Sequence, residues 1–414
     1  MDRHAGNQLG IYLSIPFCRS KCTYCNFASG VYPASDHERY VERLVEDLSG
    51  ARTWATKLGA ELPREVDTVY LGGGTPSLLE PMLLKQLFAV LRAEFSLDRD
   101  AEITMECAPG QISEETLAAM ADCGVNRVSL GVQSFVDREA QVSGRLHTRA
   151  IVERDVERLR AAGIVNLNLD LIAGLAGQTL ASWDESLAAL VASGAPHASV
   201  YMLEVDEDSR LGREMLAGGA RYYAELTPSE DTVARMYERA IERLSEAGLA
   251  QYEISNFCRP GFASRHNLRY WQRRPYLGVG LDASSALFCK TDTPFHDKST
   301  IELLRTTTTD DLNAYLAGPQ TVEANRLAPR EQLEEAWFLG LRLNDGVSLE
   351  SVEQEFGSEA LAAAMEKVNQ LEASGLVSVE GGTVRLTARG RMISNDVFQE
   401  FLGLGTKAVS SLVS

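Results

Sequence analysis

The sequence predicts an α/β fold: a partial (β/α)6 barrel with a winged-helix-like domain at its C-terminal end. Over the first 250 residues, short apolar runs alternate about six times with amphipathic stretches. That alternation implies a parallel sheet with helices outside it, because parallel neighbours need a crossover between them. Six units are too few to close an eight-fold barrel, so the sheet is expected to be curved and open. From about Leu327 the alternation gives way to three helical segments and two short strands.

The expected strands are Ile11–Ile15, Thr68–Leu71, Glu102–Glu106, Arg127–Gly131, Leu167–Ile172 and Ser199–Leu203. Each is short, and several are rich in Val, Ile, Leu or Tyr. Helical patterns lie between them, at His37–Lys57, Pro81–Glu94, Ser113–Asp122, Thr148–Ala162, Leu180–Ala192 and Ser229–Ala247. Ser113 followed by Glu114 and Glu115 reads as a helix start. Ala162-Gly163, Ser193-Gly194 and Ala247-Gly248 read as helix stops.

Three regions follow. Residues 1–250 form the barrel. Residues 251–325, with Pro260, Pro275 and Pro294, are expected to be a strand followed by loops that extend the barrel. Residues 326–414 read as helices Pro329–Asn344, Ser348–Phe356 and Ser358–Ser374, then strands Leu376–Glu380 and Thr383–Leu386 joined at Gly381-Gly382. Winged helices often bind DNA, but Glu350, Glu353 and Glu355 fill the helix that would need to be basic. A structural or partner-binding wing is expected.

The chain has 414 residues, 40 basic and 58 acidic, for a net charge of −18. Such acidity repels phosphate backbones and argues against nucleic acid as a partner. A local basic patch is still open to such a chain, for example around Arg269, Arg273 and Arg274. No run approaches the roughly 20 apolar residues that span a bilayer. The opening MDRHAGNQLG lacks an apolar signal core, so a cytoplasmic location is expected.

Of the 7 cysteines, Cys18, Cys22 and Cys25 form a C-x3-C-x2-C loop directly after the first strand. Three thiolates on one loop can wrap one compact metal centre. A structural zinc takes four protein ligands, so zinc would need a distant Cys or His to complete it. An iron–sulfur cubane held by three cysteines keeps one iron open. Cys107, Cys123, Cys258 and Cys289 read as small buried hydrophobes. Further along, Gly72-Gly73-Gly74-Thr75-Pro76 follows the second strand, where glycines let backbone approach a ligand. Glu106, Gln133 and Asp170 are polar residues in or just after apolar strands, and each needs a partner. Arg145 suits a carboxylate.

The C-x3-C-x-aromatic-C loop after the first strand resembles the signature of the radical S-adenosylmethionine superfamily. The resemblance implies a 4Fe–4S cluster on the three cysteines, with S-adenosylmethionine chelated on its open iron. In that family one-electron reduction yields a 5′-deoxyadenosyl radical, and the protein binds, orients and excludes water. It further implies cofactor contacts at Tyr12, Gly73, Gly74, Thr75, Glu106, Gln133, Arg145 and Asp170, with Tyr24 packed near the adenine.

Within the superfamily, IYLSIPFC, LGGGTPS, EITMECAPG, RVSLGVQSF and NLDLIAGL resemble segments of the oxygen-independent coproporphyrinogen oxidase group. The oxidase itself carries a further Cys two positions after the third, and a long N-terminal extension. Here that position is Phe27, and 17 residues precede Cys18. A heme-chaperone branch ends the loop with C-[DN]-F and carries H-N-x-x-Y-W. This chain has Cys25-Asn26-Phe27 and His266-Asn267-Leu268-Arg269-Tyr270-Trp271. His266 is thus the candidate heme ligand, with Tyr270 and Trp271 beside the porphyrin. The residues alone favour a histidine that hydrogen-bonds in the loop or supports the barrel, and it is the resemblance that points to heme. Leu281-Asp282-Ala283-Ser284 departs from the family pattern, and no role is carried onto it.

The function so implied is binding of heme and its transfer to an acceptor protein. The alternative is oxidative decarboxylation of coproporphyrinogen propionates. The resemblance leaves room for an electron donor such as flavodoxin or ferredoxin, a membrane-associated acceptor and a homodimer.

Overall fold

The computed structural model describes residues 8–205, 207, 209–289, 302–318 and 323–404. Strands β1 (Leu9–Ile15), β2 (Glu65–Gly73), β3 (Ser96–Cys107), β4 (Arg127–Gln133), β5 (Asn166–Ala173) and β6 (His197–Met202) pair in parallel in that order. Their connections carry α1 (Ala34–Lys57), α2 (Pro81–Glu94), α3 (Glu114–Cys123), α4 (Asp137–Val142), α5 (Arg149–Ala161) and α6 (Leu180–Ser193). After β6 come α7 (Arg210–Leu216) and α8 (Glu230–Glu246). The architecture is the open six-unit barrel that the alternation predicts.

The strand period of two decides what faces the site. Leu9, Ile11, Leu13 and Ile15 of β1 join a core with Tyr40, Val41 and Leu44 of α1. Tyr12, between them, turns the other way and stacks on Tyr70 of β2 at 6.1 Å. Local chemistry fixes the helix ends: the Ser113 hydroxyl accepts from Thr116 N–H at 3.0 Å, and Gly124 closes α3 at φ 78°.

Residues 251–325 are more regular than the sequence suggests, and the loop expectation is corrected. Short strands β7 (Ala250–Glu253) and β8 (Asn256–Cys258) extend the sheet antiparallel beyond β6. After α9 (Arg265–Trp271), strand β9 (Tyr276–Val279) returns parallel to β1 on the opposite edge. Strands β10 (Ser284–Phe288), β11 (Leu303–Thr307) and, after α10 (Leu312–Ala317), β12 (Glu323–Leu327) complete a twelve-stranded sheet. Strands this short, broken by Pro260 and Pro275, carry too little alternation to be read from sequence. Pro294 lies outside the described residues. The departing segment at Leu281 docks on α1: Tyr40 Oη accepts from Leu281 N–H at 2.8 Å and donates to the Ser14 carbonyl at 2.7 Å.

The C-terminal unit comprises α11 (Pro329–Gly340), β13 (Val347–Ser348), α12 (Leu349–Phe356), α13 (Ser358–Ala373), β14 (Val377–Glu380) and β15 (Thr383–Leu386), then short α14 (Ala388–Met392) and α15 (Ser394–Gln399). Gly381 and Gly382 turn the hairpin with φ of 57° and 73°, as a two-residue type I′ connection demands. Its own core includes Trp337 stacked on Phe401 at 4.8 Å. It is tied to the barrel by Asn344, which donates to the carbonyls of Tyr252 and Gln251 at 3.0 and 2.6 Å.

The arginine cluster is not a free basic patch. Arg269 is wholly buried against Asp67, Arg274 reaches the same carboxylate at 3.0 Å, and Arg273 pairs with Glu355 at 2.7 Å. These charges hold α9 and the C-terminal unit in place. Among the described residues, no helix is long and apolar enough to cross a membrane.

Candidate cofactor site

A cavity of about 400 Å³ opens at the carboxyl ends of the strands, where chemistry sits in parallel α/β folds. Cys18, Cys22 and Cys25 all line it. Their loop is held by backbone on three sides. Cys18 N–H donates to the Gly30 carbonyl at 2.8 Å, Thr75 N–H to the Phe17 carbonyl at 2.8 Å, and Thr23 N–H to the Ser143 carbonyl at 3.1 Å. Leu211 N–H, at the start of α7, reaches the Thr23 carbonyl at 2.9 Å. Burial pushes the Cys18 thiol above its ordinary value. Among the described residues, no three His, Cys, Asp or Glu side chains are gathered around a single-ion position.

The glycines after β2 are needed for close approach. A Cβ on Gly74 would lie 2.7 Å from the Ile15 carbonyl oxygen and 2.9 Å from the Phe17 nitrogen. One on Gly72 would lie 2.9 Å from Glu106 Oε1. Gly73 donates its N–H to Glu106 Oε2 at 3.2 Å, and Tyr70 donates its hydroxyl to Oε1 at 2.8 Å. Burial pushes the Glu106 carboxyl up to about 7, opposed by the Tyr70 hydrogen bond and helped by the Asp170 charge.

Glu106, Gln133, Arg145 and Asp170 converge on this cavity together with Tyr24, Gly73, Gly74 and Thr75. Their hydrogen bonding divides them. Asp170 already accepts from Ser129 at 3.0 Å and Asn168 at 2.7 Å, so the fold itself satisfies it. Gln133 Oε1 and Arg145 Nε are buried without a partner. Gln133 also holds φ at 67°, unusual for a non-glycine residue, where β4 breaks register with β5. Two unpaired buried polar groups on one cavity wall call for a polar ligand. The Arg145 guanidinium sits over Gly131, beside Tyr24 and Cys22.

Tyr12 and His266 lie outside the cavity lining. Tyr12 stands behind Gly73, where a Cβ on that glycine would come 3.2 Å from its hydroxyl. His266 is 1% exposed. Its Nδ1 is 2.9 Å from Thr68 Oγ1 and its Nε2 is 2.9 Å from Tyr270 Oη. Both ring nitrogens are engaged, so neither faces an iron. His266, expected as a heme ligand, is here a core histidine stacked on Tyr70 at 5.2 Å. Burial pushes it down to about 3, which keeps it neutral.

Sequence reasoning passed over Tyr70, Ser129 and Asn168, which brace Glu106 and Asp170. The signal available was the polar residue at every second position in Arg127–Gly131 and Asn166–Asp170. Cys107, read from sequence as a small buried hydrophobe, is buried and stands as a fourth cysteine on the wall, its thiol pushed by burial up to about 12.

Comparison with known proteins agrees with this geometry. The radical SAM superfamily pattern matches residues 12–190, and the HemN C-terminal domain pattern matches residues 327–393. The heme chaperone HemW of Lactococcus lactis is 32% identical over 394 residues, covering 94% of this chain and 96% of that protein. HemW of Mycobacterium tuberculosis H37Rv is 34% identical over 406 residues, covering 96% of each. A mouse protein, mitochondrial radical S-adenosyl methionine domain-containing protein 1, is 30% identical over 410 residues, covering 96% of this chain and 88% of its own length. The structure of coproporphyrinogen III oxidase (HemN) from Escherichia coli superposes with a TM-score of 0.78 at 21% identity, covering 97% of this chain and 91% of that one, which establishes the shared fold.

The superfamily implies a 4Fe–4S cluster and S-adenosylmethionine. The residues present fit both: three cysteines on one wall, a glycine cradle, and unpaired polar atoms on Gln133 and Arg145. With relatives above 30% identity matched over nearly its whole length, the chain belongs to the HemW family of the radical SAM superfamily.

Proposed function

We propose that the protein is a heme chaperone that carries a 4Fe–4S cluster and S-adenosylmethionine at the top of its barrel and passes heme to an acceptor protein. The convergence of Cys18, Cys22, Cys25, Glu106, Gln133 and Arg145 on one cavity carries the cofactor part of this reading. The names of its relatives support the heme part. When bound, the cluster and S-adenosylmethionine supply one-electron chemistry. The chain's own residues hold and orient them: three thiolates ligate the cluster, and the Gly72–Gly74 backbone lets the ligand approach. Glu106 accepts from the ligand's donor groups, and Arg145 and Gln133 gain partners. An electron donor, a membrane-associated acceptor and a homodimer are compatible with this role.

The competing oxidase reading is disfavoured by Phe27, which stands where the oxidase loop has a further cysteine and is 62% exposed. Anaerobic reconstitution followed by hemin titration, with a parallel coproporphyrinogen assay, separates the two. Stoichiometric hemin binding without turnover supports the chaperone; formation of the divinyl product overturns it.

Ligand binding carries a pH signature. Glu106 accepts best as the carboxylate, and in the free site its carboxyl sits at about 7. Affinity for S-adenosylmethionine is therefore level above pH 7 and falls roughly tenfold per unit below it through this group. Calorimetry between pH 6 and 8 on the wild type and Glu106→Gln isolates the effect. A profile unchanged by Glu106→Gln would remove Glu106 from the binding role.

A further inference from the structure

We propose that heme seats across the mouth of the barrel cavity, on Phe27, Leu146 and Tyr201, and not at His266. This rests on the chaperone reading. Phe27 is 62% exposed, Leu146 60% and Tyr201 42%, and all three line the cavity. They come from separate places in the chain: the end of the cysteine loop, the segment after α4, and β6. Single exposed hydrophobics are ordinary on any surface; three converging on one opening form a patch with a direction.

The occupant suggested by this rim is a flat apolar body with carboxylates at one edge. Arg19 and Lys21, between the first two cluster cysteines, line the same cavity. They are cations in a chain of net charge −18. Glu204, three residues beyond Tyr201 in the chain, also lines the cavity and repels carboxylates at its own position. Heme propionates are thus directed towards Arg19 and Lys21, with the macrocycle over Phe27 and Leu146.

His266 offers none of this. Exposing Nε2 would break the Tyr270 contact and require α9 to move. That helix is fixed at its start by Glu102, which accepts from Arg265 N–H and His266 N–H at 3.0 Å each, and further on by buried Arg269. Leaving such buried groups unpaired is costly.

The test is hemin titration of the full-length, cluster-reconstituted protein, read at the Soret band, alongside hemin dimethyl ester. Phe27→Ser with Leu146→Ser should weaken hemin roughly tenfold or more, as expected for lost apolar burial, with cluster content retained. Arg19→Gln with Lys21→Gln should weaken hemin but leave the dimethyl ester unchanged. Tyr270→Phe, which releases Nε2 of His266, should leave hemin affinity unchanged. Tighter binding in Tyr270→Phe, or full affinity in the Phe27 and Leu146 pair, would overturn the proposal. A wild type that binds no hemin would instead remove the chaperone reading, and the site with it.

Discussion

Asp67→Ala is expected to lower the stability of the barrel by about 3–5 kcal/mol, the cost of leaving a buried charge without its partner. Asp67 is 2% exposed on β2, and Arg269 is wholly buried against it. The arginine also donates to the Gln8 and Pro275 carbonyls at 2.9 Å each, and to Thr68 Oγ1 at 3.3 Å. It cannot follow the lost carboxylate into water without releasing those groups. Nor can it shed its proton, because guanidinium stays charged in proteins. Arg274, on the same carboxylate at 3.0 Å, loses its contact too. A domain stable by about 5–15 kcal/mol feels such a loss as a large fall in denaturation midpoint. Asp67→Asn, which keeps an acceptor, should cost less. The double variant Asp67→Leu, Arg269→Met removes both charges and should recover much of the loss. A midpoint within error of wild type for Asp67→Ala would show that the guanidinium is solvated in solution.

The same helix shows where sequence reading reaches its limit. The motif spelled out by His266 to Trp271 was visible as residue types, and so were its two candidate roles. Which role holds depends on Thr68 and Tyr70, far back in the chain on β2, and on Tyr270 one turn on; no periodicity reveals a side-chain contact across 198 residues. The barrel itself was legible because each strand carries a buried apolar face, as in Leu9, Ile11, Leu13 and Ile15. Cys18, Cys22 and Cys25 were legible because ligands to one centre on one loop must sit close in sequence. Strands β7 to β12 were not, being only 3 to 5 residues each. Glu106 and Asp170 look alike in sequence, each a carboxylate within an apolar strand. The fold gives each two donors, Ser129 and Asn168 for Asp170, Tyr70 and Gly73 for Glu106, and burial pushes both carboxyls up. Those donors sit on β2, β4 and β5, where the sequence does not show which carboxylate they will meet.

Those neighbours also link the two ends of the site. Tyr70 donates to Glu106 and stacks on His266, whose Nε2 lies against Tyr270. His266 therefore packs against the Tyr70 ring whose hydroxyl donates to Glu106.

Cys22→Ala should abolish the cluster while leaving the fold intact. The separation of those two effects follows from how the loop is held. Its contacts to Gly30, Ser143, Thr75 and Leu211 are all made by backbone groups of residues other than Cys22. Gly144 approaches the backbone of this turn, where an added Cβ would lie 3.3 Å from the Cys22 Cα. Alanine keeps each of these contacts and deletes only the sulfur. With two thiolates left, a cubane would expose two irons to solvent, and iron–sulfur centres are held by cysteine thiolates. After anaerobic reconstitution, iron and sulfide content should fall to background and the visible charge-transfer absorption should vanish. The metal-free variant should melt close to the metal-free wild type, because the backbone contacts that hold the loop are all kept. Cys107→Ala provides the contrast: this thiol lines the same cavity, but burial holds its proton on up to about 12, so it is a poor source of thiolate and the cluster should survive. Full iron content in Cys22→Ala, or its loss in Cys107→Ala, would move the ligand set from the loop to the cavity wall.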